Sequence, residues 1–505
     1  MNQPGYGARL FDCRIRERGS RDALRNLDRR CNFAAAACVM VIYLPARLNT
    51  LKGGVMSLES LYHDRREAAL ADFNRAIELD RDYAWAYFQR GQVLRELGRM
   101  EESLADLTRA CELDPEDAAY HAECGETLRM LRRYEEAIAA FSRAIELRPA
   151  YPWALGSRGQ VWRAMRRHHE AIADFDAALA LNPTLAWVHA ERGEALRALR
   201  RHPEAIEAFT QALAIDPHYP WALGHRGIAY RELRDYPAAI ADFDAAIALQ
   251  DDLAWLYAER GESRRLADDY DGALIDLSRA IELDPDYAWA LGSRGATFRA
   301  LGDTEAALAD FNRALELDPD YAWVYMQRGL LHRAADRIDE ALADFSRVIE
   351  LEPNHVGAFA ERGEICRLRR RYNEALADFS RAIELQPDHA WALGSRGQVY
   401  RVLSRYEEAL ADFNRALELK PDVVWVLAER GETYRLMRHY NEAIEDFNRA
   451  LELNPDDSWV LSRRGATYQA LKIYEEAFID LTRAVEIDPN NAWAWAQRGS
   501  LFRQM

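Results

Sequence analysis

The stretch EEALADFNRALELKPD, residues 407–422, decides the fold. Its apolar residues recur at helical spacing, and the run stops at proline. Proline has no amide hydrogen and disfavours helix in the residue before it, so the helix ends there. Close variants of the stretch return along the chain. The regularity is strictest in glycine, which stands at 91, 125, 159, 193, 227, 261, 295, 329, 363, 397, 431, 465 and 499, always 34 residues apart. Counting from Ala84, twelve complete units fill residues 84–491, and positions within a unit are numbered 1 to 34 below. A degenerate unit at 50–83 precedes them, and a lone first helix, 492–505, follows as a cap.

Each unit reads as two helices. Proline occupies position 32 in eleven of the twelve, with Asp251 the exception. Glycine at position 8 and alanine at positions 20 and 27 are small enough for two helices to cross closely. Phe or Leu at position 24 fills the space between them. A fixed 34-residue period with this glycine, Ala-x3-Phe and a terminal proline resembles the tetratricopeptide repeat. The resemblance implies an all-α fold, a right-handed superhelical solenoid of helix-turn-helix units with a concave inner groove. Two positions depart from the family pattern. Tryptophan stands at position 2 instead of 4, and position 7 is arginine in eleven units, with Cys124 the exception.

Position 23 is aspartate in ten units, and the two that lack it have Ala140 and Ala208. The position-7 arginines are expected to pair with these aspartates as structural mortar. On the first helix, positions 2, 5, 9, 12 and 13 share one arc, which in the resembled family lines the groove. Tryptophan at position 2 and arginine at position 12 therefore form two rows on that arc. Packing of the tryptophans on the adjacent repeat is an equally available reading.

The first helices also alternate. One kind reads AERG followed by glutamate at position 9, close enough to pair with Arg at position 12. A second kind reads LGSRG, LGHRG or LSRRG and lacks that glutamate, and a third reads FQRG, MQRG or AQRG. Four units of the second kind supply the candidate binding residues, each set holding an aromatic, a tryptophan, a glycine gap and an arginine without a local acid. The sets are Tyr151, Trp153, Gly156 and Arg163; Tyr219, Trp221, Gly224 and Arg231; Tyr287, Trp289, Gly292 and Arg299; and His389, Trp391, Gly394 and Arg401. Duplication of two-repeat blocks explains the alternation equally well.

Composition narrows the function. The chain has 505 residues and a formal charge of −17, but residues 1–49 hold nine arginines and four acids, so the remainder carries −22. An acidic body argues against duplex nucleic acid as partner. No phosphate loop, dinucleotide fingerprint, zinc spacing or nucleophile elbow occurs, so no cofactor, metal site or catalytic residue is expected and the chain reads as a non-enzyme. The six cysteines lack metal-type spacing and read as reduced thiols of a cytoplasmic protein. The apolar run FAAAACVMVIYL, residues 33–44, is too short to span a bilayer and reads as a short buried helix, or as sequence upstream of a start at Met56. The expected function is an interaction scaffold that binds a partner protein or extended peptide bearing acidic and aromatic groups, with self-association possible. The alternatives are a receptor for an anionic, partly aromatic ligand such as a nucleotide or oligonucleotide, and a self-assembling scaffold.

Overall fold

A computed structural model describes residues 58–505, and every regular element among them is a helix. The N-terminal segment 1–49, its apolar run and Met56 lie outside the described residues. The chain divides into two compact units, up to Leu79 and from Asp80 onward. In the first, one unbroken helix runs from Leu58 to Leu79. The described part of the expected degenerate repeat is thus a single helix without a turn.

The second unit keeps the 34-residue period. First helices begin at Ala84, Ala118, Pro152, Ala186 and onward to Ala492, and second helices at Met100, Tyr134, His168 and onward to Tyr474. The turn between the two helices of a repeat is built the same way each time. Position 15 is left-handed, with φ between 56° and 66° at ten non-glycine residues such as Arg132, Arg200 and Asp268. Glycine takes this position only at Gly98 and Gly302. The position-16 amide then donates back to the position-11 carbonyl, as in Arg133 to Leu128 at 2.9 Å, which closes the helix end.

The core lies between the two helices of each repeat and between repeats. Position 24 is fully buried, from Leu107 and Phe141 to Phe447 and Leu481. A Cβ added to the position-8 glycine would press on that side chain, 3.0 Å from Phe141 at Gly125 and 2.8 Å from Phe311 at Gly295. Any larger residue there forces the helices apart. The one serine at position 20, Ser103, is also buried and donates its hydroxyl to the Gly91 carbonyl at 2.6 Å.

The position-7 arginines are mortar, as their pairing with position 23 implies. In all ten units with Asp at 23, the guanidinium donates from Nε and Nη2 to both carboxylate oxygens, as in Arg294 to Asp310 at 2.8 Å each. In nine of them, from Arg158 onward, the third nitrogen reaches position 25 of the preceding repeat, as in Arg294 Nη1 to Ser278 Oγ at 3.2 Å. One side chain therefore ties together its own helix pair and the previous one. Arg192 has only Ala208 at position 23 and turns wholly to Asp176 of the preceding repeat, at 2.6 Å. The unit with Ala140 has Cys124 at position 7, a free thiol near that of Cys111.

Arg294→Ala leaves the buried Asp310 carboxylate without its fork. The expected loss is about 1–3 kcal/mol in chemical unfolding, with partner binding retained. Loss of binding at unchanged stability would reverse the structural assignment.

Candidate functional site

First helices of successive repeats lie side by side, so position 5 meets position 2 of the next repeat, and positions 9 and 12 meet its position 6. The four candidate sets all sit on this row, and the side chains that complete them come from the next repeat.

The glycine gaps are filled. A Cβ added at Gly156, Gly224 or Gly394 would collide with Cη2 of Trp187, Trp255 or Trp425, the position-2 tryptophan of the following repeat. At Gly292 it would lie 2.9 Å from Val324 Cγ2 and 3.3 Å from Trp323 Cζ3. These glycines admit a neighbour's ring, which corrects the reading of an open space for ligand. Glycine at position 5 and tryptophan at position 2 are one packing device shared by two repeats.

The arginines are also engaged. Where position 9 is glutamate, it accepts from Arg at position 12 of its own helix through both oxygens, as in Glu262 with Arg265 at 2.8 and 2.7 Å. Where it is not, the carboxylate comes from position 6 of the next repeat: Arg163 with Glu191 at 2.7 Å, Arg231 with Glu259 at 2.8 Å and Arg401 with Glu429 at 2.6 Å. Gln160 and Gln398 at position 9 donate to the second oxygen of Glu191 and Glu429, at 2.8 and 2.9 Å. Three of the four candidate arginines are thus neutralised across the repeat boundary. The remaining one, Arg299, faces Gln327. The sequence signal for this ladder was the glutamate inside AERG itself, at position 6.

The ladder continues at the other boundary, where Glu194 holds Arg197 and also accepts from His225 Nδ1 at 3.1 Å. Burial opposes ionisation of Glu194, but the hydrogen bonds from Arg197 and His225 outweigh it and lower its pKa to about 2. Glu259 goes the other way, because burial outweighs its pairing with Arg231 and raises its pKa.

The aromatic pairs persist on the surface of the row. Tyr151 with Trp153, Tyr219 with Trp221, Tyr287 with Trp289 and His389 with Trp391 have ring centroids 6.0 to 6.2 Å apart, and all eight rings are half-buried. Trp153, Trp221 and Trp391 each also meet the buried position-24 ring of the preceding repeat, edge to face, at 6.2 to 6.3 Å. Burial and the nearby Glu123 push the Tyr151 phenol up to about 12, and burial with Glu259 does the same at Tyr287. Both are therefore neutral hydroxyls at neutral pH. His389 has a further task, because its Nδ1 accepts from the Ala392 amide at 3.1 Å and caps the helix.

Among the described residues no group of three or more His, Cys, Asp or Glu is placed to hold a metal, and no helix is long and apolar enough to cross a membrane. Cys111, Cys124 and Cys366 are free thiols.

Glu194 also makes a test. Its folded pKa is depressed, so its contribution is present above the ordinary 4.5 and disappears as pH falls toward 2. Melting temperatures of the protein and of Glu194→Gln, taken from pH 7 to pH 2, should differ most at the upper end and converge in acid. A constant difference across that range would contradict the ion-pair account.

Comparison with known proteins agrees with this architecture. Tetratricopeptide repeat profiles match residues 65–96, 91–131, 123–186, 186–219, 225–288, 295–335, 324–355, 355–422 and 424–457. A protein prenyltransferase alpha subunit repeat profile matches 474–505. No curated protein matches significantly. Among solved structures, the chain is similar to the APC/C hetero-tetramer Cut9-Hcn1, at 15% identity and a TM-score of 0.49, covering 88% of this chain and 94% of that one. It is also similar to yeast Tom70, at 16% identity and a TM-score of 0.35 over 84% and 96% of the two chains. A third is YrrB, described as a TPR protein with an unusual peptide-binding site, at 23% identity and a TM-score of 0.33 over 37% and 97%. With repeat profiles matching along most of its length and helix pairs recurring every 34 residues, the chain belongs to the tetratricopeptide repeat family.

Proposed function

We propose that this interaction scaffold binds a partner protein or extended peptide along the first-helix row, with the paired rings at positions 34 and 2 as its contact points. The observation that carries this reading is the aromatic pairs themselves. Tyr151 with Trp153, Tyr219 with Trp221, Tyr287 with Trp289 and His389 with Trp391 repeat on one face while their flanks remain half-exposed. Aromatic surface binds apolar and aromatic side chains without demanding one sequence. Evenly spaced weak contacts suit an extended ligand, because each contact raises the effective concentration of the next.

The ion pairs favour this reading over a polyanion receptor. A row of free arginines would attract phosphates, but Arg163, Arg231 and Arg401 already hold Glu191, Glu259 and Glu429. The surface offered is aromatic, with its charges largely paired.

The test is affinity capture from a native lysate, at low and at high salt. Trp153, Trp221, Trp289 and Trp391 are changed together to leucine, with Trp391→Leu alone as a milder variant in case the quadruple change unfolds the protein. The expected result is a partner retained at high salt and lost, by about tenfold or more, from the folded tryptophan variants. Undiminished capture by those variants would overturn the aromatic contacts. Release of the partner by salt alone would favour an anionic ligand.

A further inference from the structure

The arginines at position 12 obey a rule with one exception. Wherever such an arginine lacks glutamate at its own position 9, the next repeat supplies a carboxylate from position 6. Arg95 with Glu123 and Arg333 with Glu361, at 2.6 and 2.7 Å, extend the three pairs described above. In the unit beginning at Ser458 the following position 6 is Gln497, and there position 12 is Gln469: the arginine is absent together with its acid. The unit beginning at Ala288 is also followed by glutamine, Gln327, yet it keeps Arg299.

The Nη2 of Arg299 donates to Gln327 Oε1 at 3.1 Å. Its Nε, like those of Arg163 and Arg231, is shielded from solvent without a hydrogen bond, but those two arginines have a glutamate of the next repeat against them and Arg299 has a neutral amide. The neighbouring cation Arg265 is already held by Glu262 and adds repulsion. A half-buried guanidinium facing a neutral amide carries the desolvation cost of an ion pair without the attraction that offsets it. Next to Gln327, positions 5 and 9 of the same helix are Met326 and Leu330, both partly exposed, where the AERG units have alanine and glutamate.

We propose that Arg299 is the docking point for a carboxylate side chain of the bound peptide, which completes the rung that a glutamate of the next repeat completes elsewhere. The proposal rests on the reading of this face as a peptide-binding row. It specifies one acidic residue beside an apolar one, matched to Arg299 and to Met326 with Leu330. A carboxylate is favoured over a phosphate because every other position-12 arginine of the twelve complete units is held by a carboxylate, and a dianion would meet the acidic surroundings of a chain with net charge −17.

The test uses fluorescence anisotropy with a fluorescein-labelled hexapeptide of alternating leucine and glutamate, its glutamine counterpart, and a single-stranded thymidylate oligonucleotide as competitor. The full chain should prefer the glutamate peptide by about tenfold. Gln327→Glu supplies the missing carboxylate within the protein, so it should abolish that preference and raise the melting temperature. Arg299→Gln should abolish the preference without the rise in melting temperature. Equal binding of the two peptides, binding of neither, or a glutamate preference that survives Gln327→Glu overturns the carboxylate site. Displacement by the oligonucleotide that depends on Gln327 in the same way overturns it in favour of a phosphate ligand. The wider peptide-binding reading stands or falls separately, on the capture experiment with the tryptophan variants.

Discussion

Among the described residues the repeats from Ala84 onward share their charges with their neighbours, and the stack depends on that sharing. The Arg294 guanidinium spends two nitrogens on Asp310 of its own helix pair and a third on Ser278 of the pair before. On the row of first helices, Arg401 needs Glu429 from the repeat after. Apolar burial has the same character, since Gly394 leaves a space that only Trp425 of the next repeat fills. A repeat cut from the stack would expose a ring, a glycine notch, and charges placed to meet partners it no longer has. Stability in such an array is a sum of interfaces, and each interface here is polar and apolar at once.

The alternation of first helices, every second repeat, fits this sharing of charges. Glutamate at position 9 serves the arginine of its own helix, and glutamate at position 6 serves the arginine of the helix before. A repeat that carries both, such as the one with Glu259 and Glu262, completes two rungs. The repeat between two such units needs no acid of its own and can offer serine, histidine or glutamine. His225 shows the tolerance of this arrangement, since it occupies position 6 and donates to Glu194 of the preceding repeat. Among the described residues the outer flanks of the aromatic pairs stay half-exposed, and Arg299 faces the neutral Gln327 where the other position-12 arginines of the complete units face carboxylates.

Much of the fold was legible in the sequence because its determinants act within one unit. Glycine at 8, the ring at 24 and the proline at 32 recur at one period. The Arg at 7 and Asp at 23 vary together except where Arg192 turns to the preceding repeat. The site was less legible. The arc of positions 2, 5, 9, 12 and 13 leaves out position 6, whose glutamate lies 28 residues from the arginine that it neutralises. The glycines read as openings because the ring that fills each one belongs to the next repeat. The left-handed turn residue escaped notice for a different reason: arginine or aspartate stands there far more often than glycine, which removes the usual composition signal.

The cross-repeat ion pair is the central claim, and a double-mutant cycle between Arg401 and Glu429 tests it most directly. Both side chains are largely buried, so removing one strands the other in a site from which water is mostly excluded. Arg401→Gln and Glu429→Gln should each destabilise the protein by more than the double variant does, with a coupling of about 1–3 kcal/mol in chemical unfolding. Additive effects, with no coupling, would contradict the ladder and return the alternation to a relic of duplicated blocks.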